Sequence, residues 1–126
     1  MGYYKELLAF KEAYELAMLI FQVSKKFPPE ERYSLTDQIR RSSRSVCTNL
    51  AESYKRRRYK DYFVSKLNDS ETENTETEVW IYFSRDCGYI TVEESEKLLF
   101  LNDEAGKLIW HMIHNLKNTC SLTPDS

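Results

Sequence analysis

The 126-residue chain has little of what interrupts regular structure, with only three glycines and three prolines. A fold of many short strands needs more turn residues than that and is excluded. Long uncharged runs are also missing. No stretch approaches the roughly 20 apolar residues of a membrane span. The N-terminal MGYYKELLAFKEAYE carries acids from residue 6 onward and contains no apolar secretion segment or small-residue cleavage site. A cytoplasmic protein without a membrane partner is expected. The three cysteines, Cys47, Cys87 and Cys120, are odd in number and widely separated, with no CxxC pair. That pattern argues against both a disulfide framework and a zinc site. Neither histidine, His111 or His114, has a glutamate three residues before it, so the Glu-x-x-His pairs of a di-iron bundle are absent. No phosphate-binding glycine loop, Ser/His/Asp set or Cys/His pair is present, and no cofactor is expected.

What the chain does have is 30% charged residues and abundant Glu, Lys and Leu, a mix that helices tolerate well. The first helix is expected from about Tyr4 to Lys26, with Leu7, Phe10, Tyr14, Ala17, Phe21 and Ser24 on one stripe. Leu8, Ala13, Leu16 and Ile20 widen that stripe. Pro28 and Pro29 end it. A second helix begins near Ser34, a candidate N-cap supported by Asp37 in the first turn. Its inward positions are Leu35, Ile39, Ser42, Val46, Asn49 and Ser53, with Leu50 beside them. A bend near residues 57–59 leads to a third helix, from about Tyr59 to Cys87. Gly88 is a natural left-handed cap for it, with Ile90 to close the hydrophobic contact. Thr91 and Glu94 have the spacing of a capping box for the fourth helix. That helix carries Leu98, Leu101, Ala105, Leu108, Met112 and Leu116. Short connections force antiparallel neighbours. The expectation is an all-α, up-down-up-down antiparallel four-helix bundle, one domain over residues 4–118, with a flexible tail at 119–126.

The net charge of −2 conceals a division. Residues 36–60 hold eight bases against two acids, whereas residues 61–78 hold six acids against one base. Arg40, Arg41 and Arg44 share a helix face. Lys55, Arg56, Arg57, Arg58 and Lys60 follow, with Tyr54, Tyr59 and Tyr62 among them. Cations interleaved with aromatics suit nucleic acid, because phosphates take the charge and bases stack on the rings. The other reading is structural: the acidic third helix, in the same or a neighbouring subunit, neutralises the basic segment. A second feature is a polar stripe, with Ser42, Asn49 and Ser53 facing Ser70, Glu73, Asn74 and Thr77. Buried polar groups need partners, so this is either a network fixing helix register or a small cleft. Glu73 and Glu76 have the spacing of a magnesium-binding carboxylate pair, as in all-helical nucleotide pyrophosphatases. Such enzymes need a second pair, and Glu12/Glu15 and Glu93/Glu96 match only in spacing. An enzyme is therefore the alternative and not the first expectation.

Several of these residues also carry a resemblance. Phe27-Pro28-Pro29-Glu30-Glu31-Arg32, Leu35-Thr36-Asp37-Gln38, Ile39-Arg40-Arg41, Ser45-Val46, Asn49-Leu50-Ala51-Glu52 and Ser70-x-x-Glu73 resemble the bacterial four helix bundle protein family. That family includes proteins encoded in intervening sequences of large-subunit ribosomal RNA genes. The accessory variability determinant of diversity-generating retroelements is a relative. The resemblance runs from about Leu8 to Leu116, and Ser53 and Asp69 stand where members usually carry glycine. It implies an up-down-up-down bundle that assembles as a homopentamer and offers a basic surface to structured RNA or DNA. The function it implies is non-enzymatic, that of an accessory or scaffold protein.

Overall fold

The computed structural model describes Tyr4 and residues 7–115. The expected tail, Leu116 and Cys120 lie outside the described residues. Four helices account for most of them: α1 (Leu8–Ser24), α2 (Leu35–Lys55), α3 (Lys60–Asp86) and α4 (Val92–His114). A single 3-10 turn, Pro29–Glu31, lies between α1 and α2, and no strand occurs among the described residues. Each helix packs against its two neighbours in a cycle, α1 with α2, α2 with α3, α3 with α4 and α4 with α1. This is the antiparallel four-helix bundle that the short connections require. No helix among the described residues is long and apolar enough to cross a membrane.

The sharpest local signals are found where the chain placed them. Gly88 has φ +77°, and Tyr89 N–H donates to Ser84 O while Gly88 N–H donates to Arg85 O. Those two bonds satisfy the last carbonyls of α3 in a Schellman arrangement. Thr91 Oγ1 accepts from Glu94 N–H at 3.0 Å and Glu94 Oε1 accepts from Thr91 N–H at 2.9 Å, closing the capping box.

The start of α2 differs from expectation. Ser34 makes no capping bond of its own. Its hydroxyl instead donates to Glu31 Oε1 at 2.6 Å, and that same oxygen accepts the first amide of α2, Leu35 N–H, at 3.3 Å. Glu31 Oε2 accepts from Tyr89 Oη at 2.8 Å. One carboxylate thus caps α2 and ties it to the α3–α4 connection. Phe27 is buried and its ring packs against that of Tyr89, centroids 5.5 Å apart. Phe27 and Glu31 of the Phe27–Arg32 segment are therefore holding one end of the bundle together.

The face of α1 is also rotated from expectation. Its buried residues are Ala9, Ala13, Leu16, Ala17, Ile20 and Ser24. Tyr14 is 54% exposed and Leu8 56%, while Phe10 and Phe21 sit at the shoulder of the helix, partly buried. Three alanines on the inner stripe let α1 approach its neighbours closely. The larger aromatic rings fit at the rim, where space is not limiting.

The core has two apolar halves. One gathers Val46, Leu50, Phe63, Leu67 and Ile109 against the α1 alanines. The other gathers Leu16, Ile20, Ile39, Ile81 and Leu98. Fully burying each such side chain contributes about 1.5–3 kcal/mol. A polar layer containing Ser42, Asn74, Thr77 and Asn102, all buried, accompanies these two halves.

Candidate nucleic-acid interface

Polar pairing begins on the side of α2 that faces α3. Thr77 Oγ1 donates to Ser42 Oγ at 2.8 Å, and Ser70 Oγ donates to Val46 O at 2.9 Å. Ser45 Oγ donates to Glu73 Oε2 at 3.2 Å. Arg41 reaches across to both Glu73 oxygens, at 3.2 and 3.3 Å, and to Glu76 Oε1. These two carboxylates raise the affinity of Arg41 for its proton. Burial alone raises the pKa of Glu76, but its bonds to Arg41 and Trp80 outweigh that and hold it below the ordinary value. Glu73 and Glu76 are thus committed to an arginine. Among the described residues no group of three or more His, Cys, Asp or Glu is placed to hold a metal ion.

Three members of the expected polar stripe point elsewhere. Asn49 is half-buried and donates to Ser45 O and Ser45 Oγ on its own helix. Ser53, although fully buried, donates to Leu50 O, also on α2. Asn74 turns toward α4, where its Nδ2 donates to Asn102 O at 3.0 Å and Asn102 Nδ2 donates back to Asn74 O at 2.9 Å. Gly106 makes room for this exchange, since a Cβ there would meet Asn74 Nδ2 at 3.0 Å. Helical spacing assigned these side chains to a buried face and left open which neighbour each one meets. Asn102 and Gly106 were missed because a lone polar residue and a lone glycine on an apolar helix carry no pairing signal.

The side of α2 that faces α1 is different. The Phe21 ring, at the α1 shoulder, has three cations around it: Lys25 Nζ at 4.8 Å from its centroid, Arg40 Cζ at 5.1 Å and Arg44 Cζ at 5.9 Å. Cations are drawn to the negative face of an aromatic ring. Arg40 is further fixed by donating from Nε to Ser24 Oγ at 2.7 Å, while Ser24 donates to Phe21 O. None of the three forms an ion pair with a carboxylate of the described residues. Arg40 and Arg44 also border a cleft of about 580 Å³ that runs along α2 from Arg32 and Thr36 to Thr48. An apolar groove of about 370 Å³ adjoins it, shares Arg44 and Thr48, and is lined by Phe10, Tyr14, Met18 and Phe21.

Lys55, Arg56, Arg57, Arg58 and Lys60 form the turn from α2 to α3. Arg56 lies over the Tyr62 ring at 5.6 Å and Arg57 over Tyr54 at 4.5 Å. Arg57 also donates to Tyr54 O. Lys55, Arg56 and Lys60 are exposed and form no ion pair within the described residues. The two basic groups thus lie along α2 and just past its C-terminal end, about 20–25 Å apart at 1.5 Å per residue. Sequence reasoning found the eight cations but not Phe21, Lys25, Arg32 or Thr36. A signal existed for Lys25, which lies one helical turn after Phe21.

Cys47 is buried, and burial pushes its thiol up to about 11, which suits a core residue and not a nucleophile.

These features define a class: a small antiparallel helical bundle with one charge-compensated seam and one basic, aromatic-edged face. Residues 5–111 match the family described as 23S rRNA-intervening sequence protein, and the chain belongs to that family. A crystal structure of a protein of unknown function from the S23 ribosomal protein family of Bacteroides thetaiotaomicron is similar, with a TM-score of 0.76 and 28% identity. The match covers 85% of this chain and 96% of that one. No curated protein matches the chain.

Proposed function

We propose that the protein is a non-enzymatic, homo-oligomeric accessory or scaffold protein that associates with RNA or DNA through the basic face of α2 and the turn that follows it. The observation that carries this reading is the contrast between adjacent arginines. Arg41 is neutralised by Glu73 and Glu76, whereas Arg40 and Arg44 are held over an aromatic ring and form no ion pair within the described residues. Guanidinium groups held in place without an ion-pair partner suit phosphate oxygens, which accept charge-assisted bonds. The family's description names 23S rRNA, which makes structured RNA the first ligand to test. A pentamer is the assembly that the family resemblance implies, and it would let five modest patches act together.

Electrophoretic shift of structured RNA at low and high salt is the test. Binding at micromolar protein should weaken steeply with salt as counterions are released. No shift at low salt would remove the reading. Light scattering on the same sample gives the mass, and a monomer would remove the assembly. Replacing Arg56, Arg57 and Arg58 by Glu separates the two roles of the basic turn: lost RNA binding with intact mass supports phosphate contact, and lost mass supports pairing between subunits.

A further inference from the structure

The two ends of the basic surface differ in how they arrange their charge. Around Phe21, Lys25, Arg40 and Arg44 place three cations within 6 Å of a single ring centroid. Arg32 and Thr36 lie at the far end of the adjoining cleft. Asp37 is the carboxylate among the residues lining that cleft, and Arg41, which also lines it, is bound to Glu73 and Glu76. Thr36 is 9% exposed and its Oγ1 is buried without a hydrogen-bond partner. A buried hydroxyl normally has one. Rotation about χ1 costs this side chain no existing bond and changes where its hydroxyl points.

A phosphodiester in the middle of a strand carries one negative charge and shares it with evenly spaced neighbours. A phosphomonoester carries about −1.5 to −2 charges at neutral pH and three acceptor oxygens on one atom. Arg32, Arg40 and Arg44 on one cleft that Thr36 also lines, with Lys25 near the last two at the Phe21 ring, match the second. The apolar groove lined by Phe10, Tyr14 and Met18 shares Arg44 and Thr48 with the cleft. It offers aromatic surface on which the base of the same nucleotide can stack. We infer that the α1–α2 corner is a subsite for the phosphorylated end of a nucleic-acid strand, with the monoester in the cleft lined by Arg32, Arg40 and Arg44 and the terminal base in the apolar groove. This inference rests on the nucleic-acid reading above and narrows it from backbone contact to recognition of an end.

The test is fluorescence anisotropy with one single-stranded RNA sequence in three forms: 5′-phosphate, 3′-phosphate and hydroxyl at both ends. Adenosine 3′,5′-bisphosphate is titrated separately by calorimetry. At least one phosphorylated form should bind about tenfold tighter than the hydroxyl form, in line with the strength of charge-assisted phosphate bonds. The preference should vanish in the Arg40→Gln/Arg44→Gln double variant and shrink in Thr36→Val, each checked for native helicity by circular dichroism. Lys55→Gln/Lys60→Gln should weaken all three forms alike and leave the preference. Equal binding of the three RNAs would overturn the end-recognition subsite while leaving general nucleic-acid association standing. Absence of RNA binding, with bisphosphate bound by the wild type and lost in the double variant, would overturn the nucleic-acid reading and keep the monoester subsite. Binding of none of these probes would overturn both.

Discussion

The two seams of α2 are built on opposite terms. Toward α3, polar side chains bond across the gap: Thr77 to Ser42, Ser70 to Val46 O, and Arg41 to Glu73 and Glu76. Toward α1, the contact is made mainly by small and apolar side chains, and apart from the Arg40–Ser24 bond the polar groups bond locally. Buried Ser43 donates only to Arg40 O on its own helix, and Thr36 Oγ1 has no partner. The first seam spends its charges on itself. The second leaves its charges facing outward. The physical lesson is that a charge run read along one helix divides by direction, because residues one apart on a helix point about 100° apart. Arg40 and Arg41 are chain neighbours with different roles for that reason.

The comparison can be broken most forcefully at Ser42. This side chain is fully buried and accepts from Thr77. Ser42→Leu adds volume to a filled layer and removes the acceptor, so unfolding stability should fall by about 3 kcal/mol. Urea titration with an unchanged m-value checks it. Ser70→Ala should cost about 1 kcal/mol, since it removes a bond between helices. Ser43→Ala should cost much less, because Ser43 only bonds back within α2. Equal losses for these two serines would erase the distinction between the seams.

A smaller effect is expected from the arginines. Arg41 is 46% exposed, so solvent screening limits Arg41→Gln to a loss of about 0.5–1 kcal/mol. Arg40→Gln should change stability less than that, because its guanidinium has no carboxylate to leave behind. Added salt should narrow the difference between the two variants, which thermal unfolding at low and high ionic strength measures.

The smallest expected effect is a change in pH dependence at the Glu31 end. The Ser34 hydroxyl, followed by the Tyr89 hydroxyl, holds the Glu31 carboxyl below its ordinary value of 4.5, and the same contact pushes Tyr89 up to about 12. A carboxyl with a lowered folded-state pKa adds stability that is present above its unfolded value. That stability is lost as pH falls through the folded value. Glu31→Gln should therefore flatten the acid limb of the stability profile below about pH 4.5, relative to wild type, and leave the neutral region less affected. An unchanged acid limb would mean that Glu31 titrates alike in the folded and unfolded chains. Glu76, Asp86 and Glu94 are lowered too and contribute to the slope that should remain.

Much of the architecture was legible because it depends on local chemistry. The scarcity of Gly and Pro, the left-handed Gly88 and the Thr91–Glu94 box each act within a few residues, so their meaning does not depend on distant parts of the chain. The cap of α2 was misread at Ser34 for the opposite reason. Glu31 lies a turn earlier and is held there by Tyr89, which is 58 residues away in the chain. The α1 face was misread because three alanines and the aromatics occupy overlapping stripes, and hydrophobicity alone favours the larger rings. Close packing favoured the alanines.

The sequence by itself determined that this chain is helical, where its helices break, and that α2 carries an excess of positive charge. Those properties follow from backbone propensity, capping and composition, all short-range or additive. Only the tertiary structure decided that Asn74 meets Asn102 instead of α2, that Arg41 is neutralised while Arg40 is not, and that three cations share one phenyl ring. Such pairings depend on how each helix is rotated about its axis and how far it is shifted along it. Packing of the whole core sets both, and no stretch of chain contains that information alone.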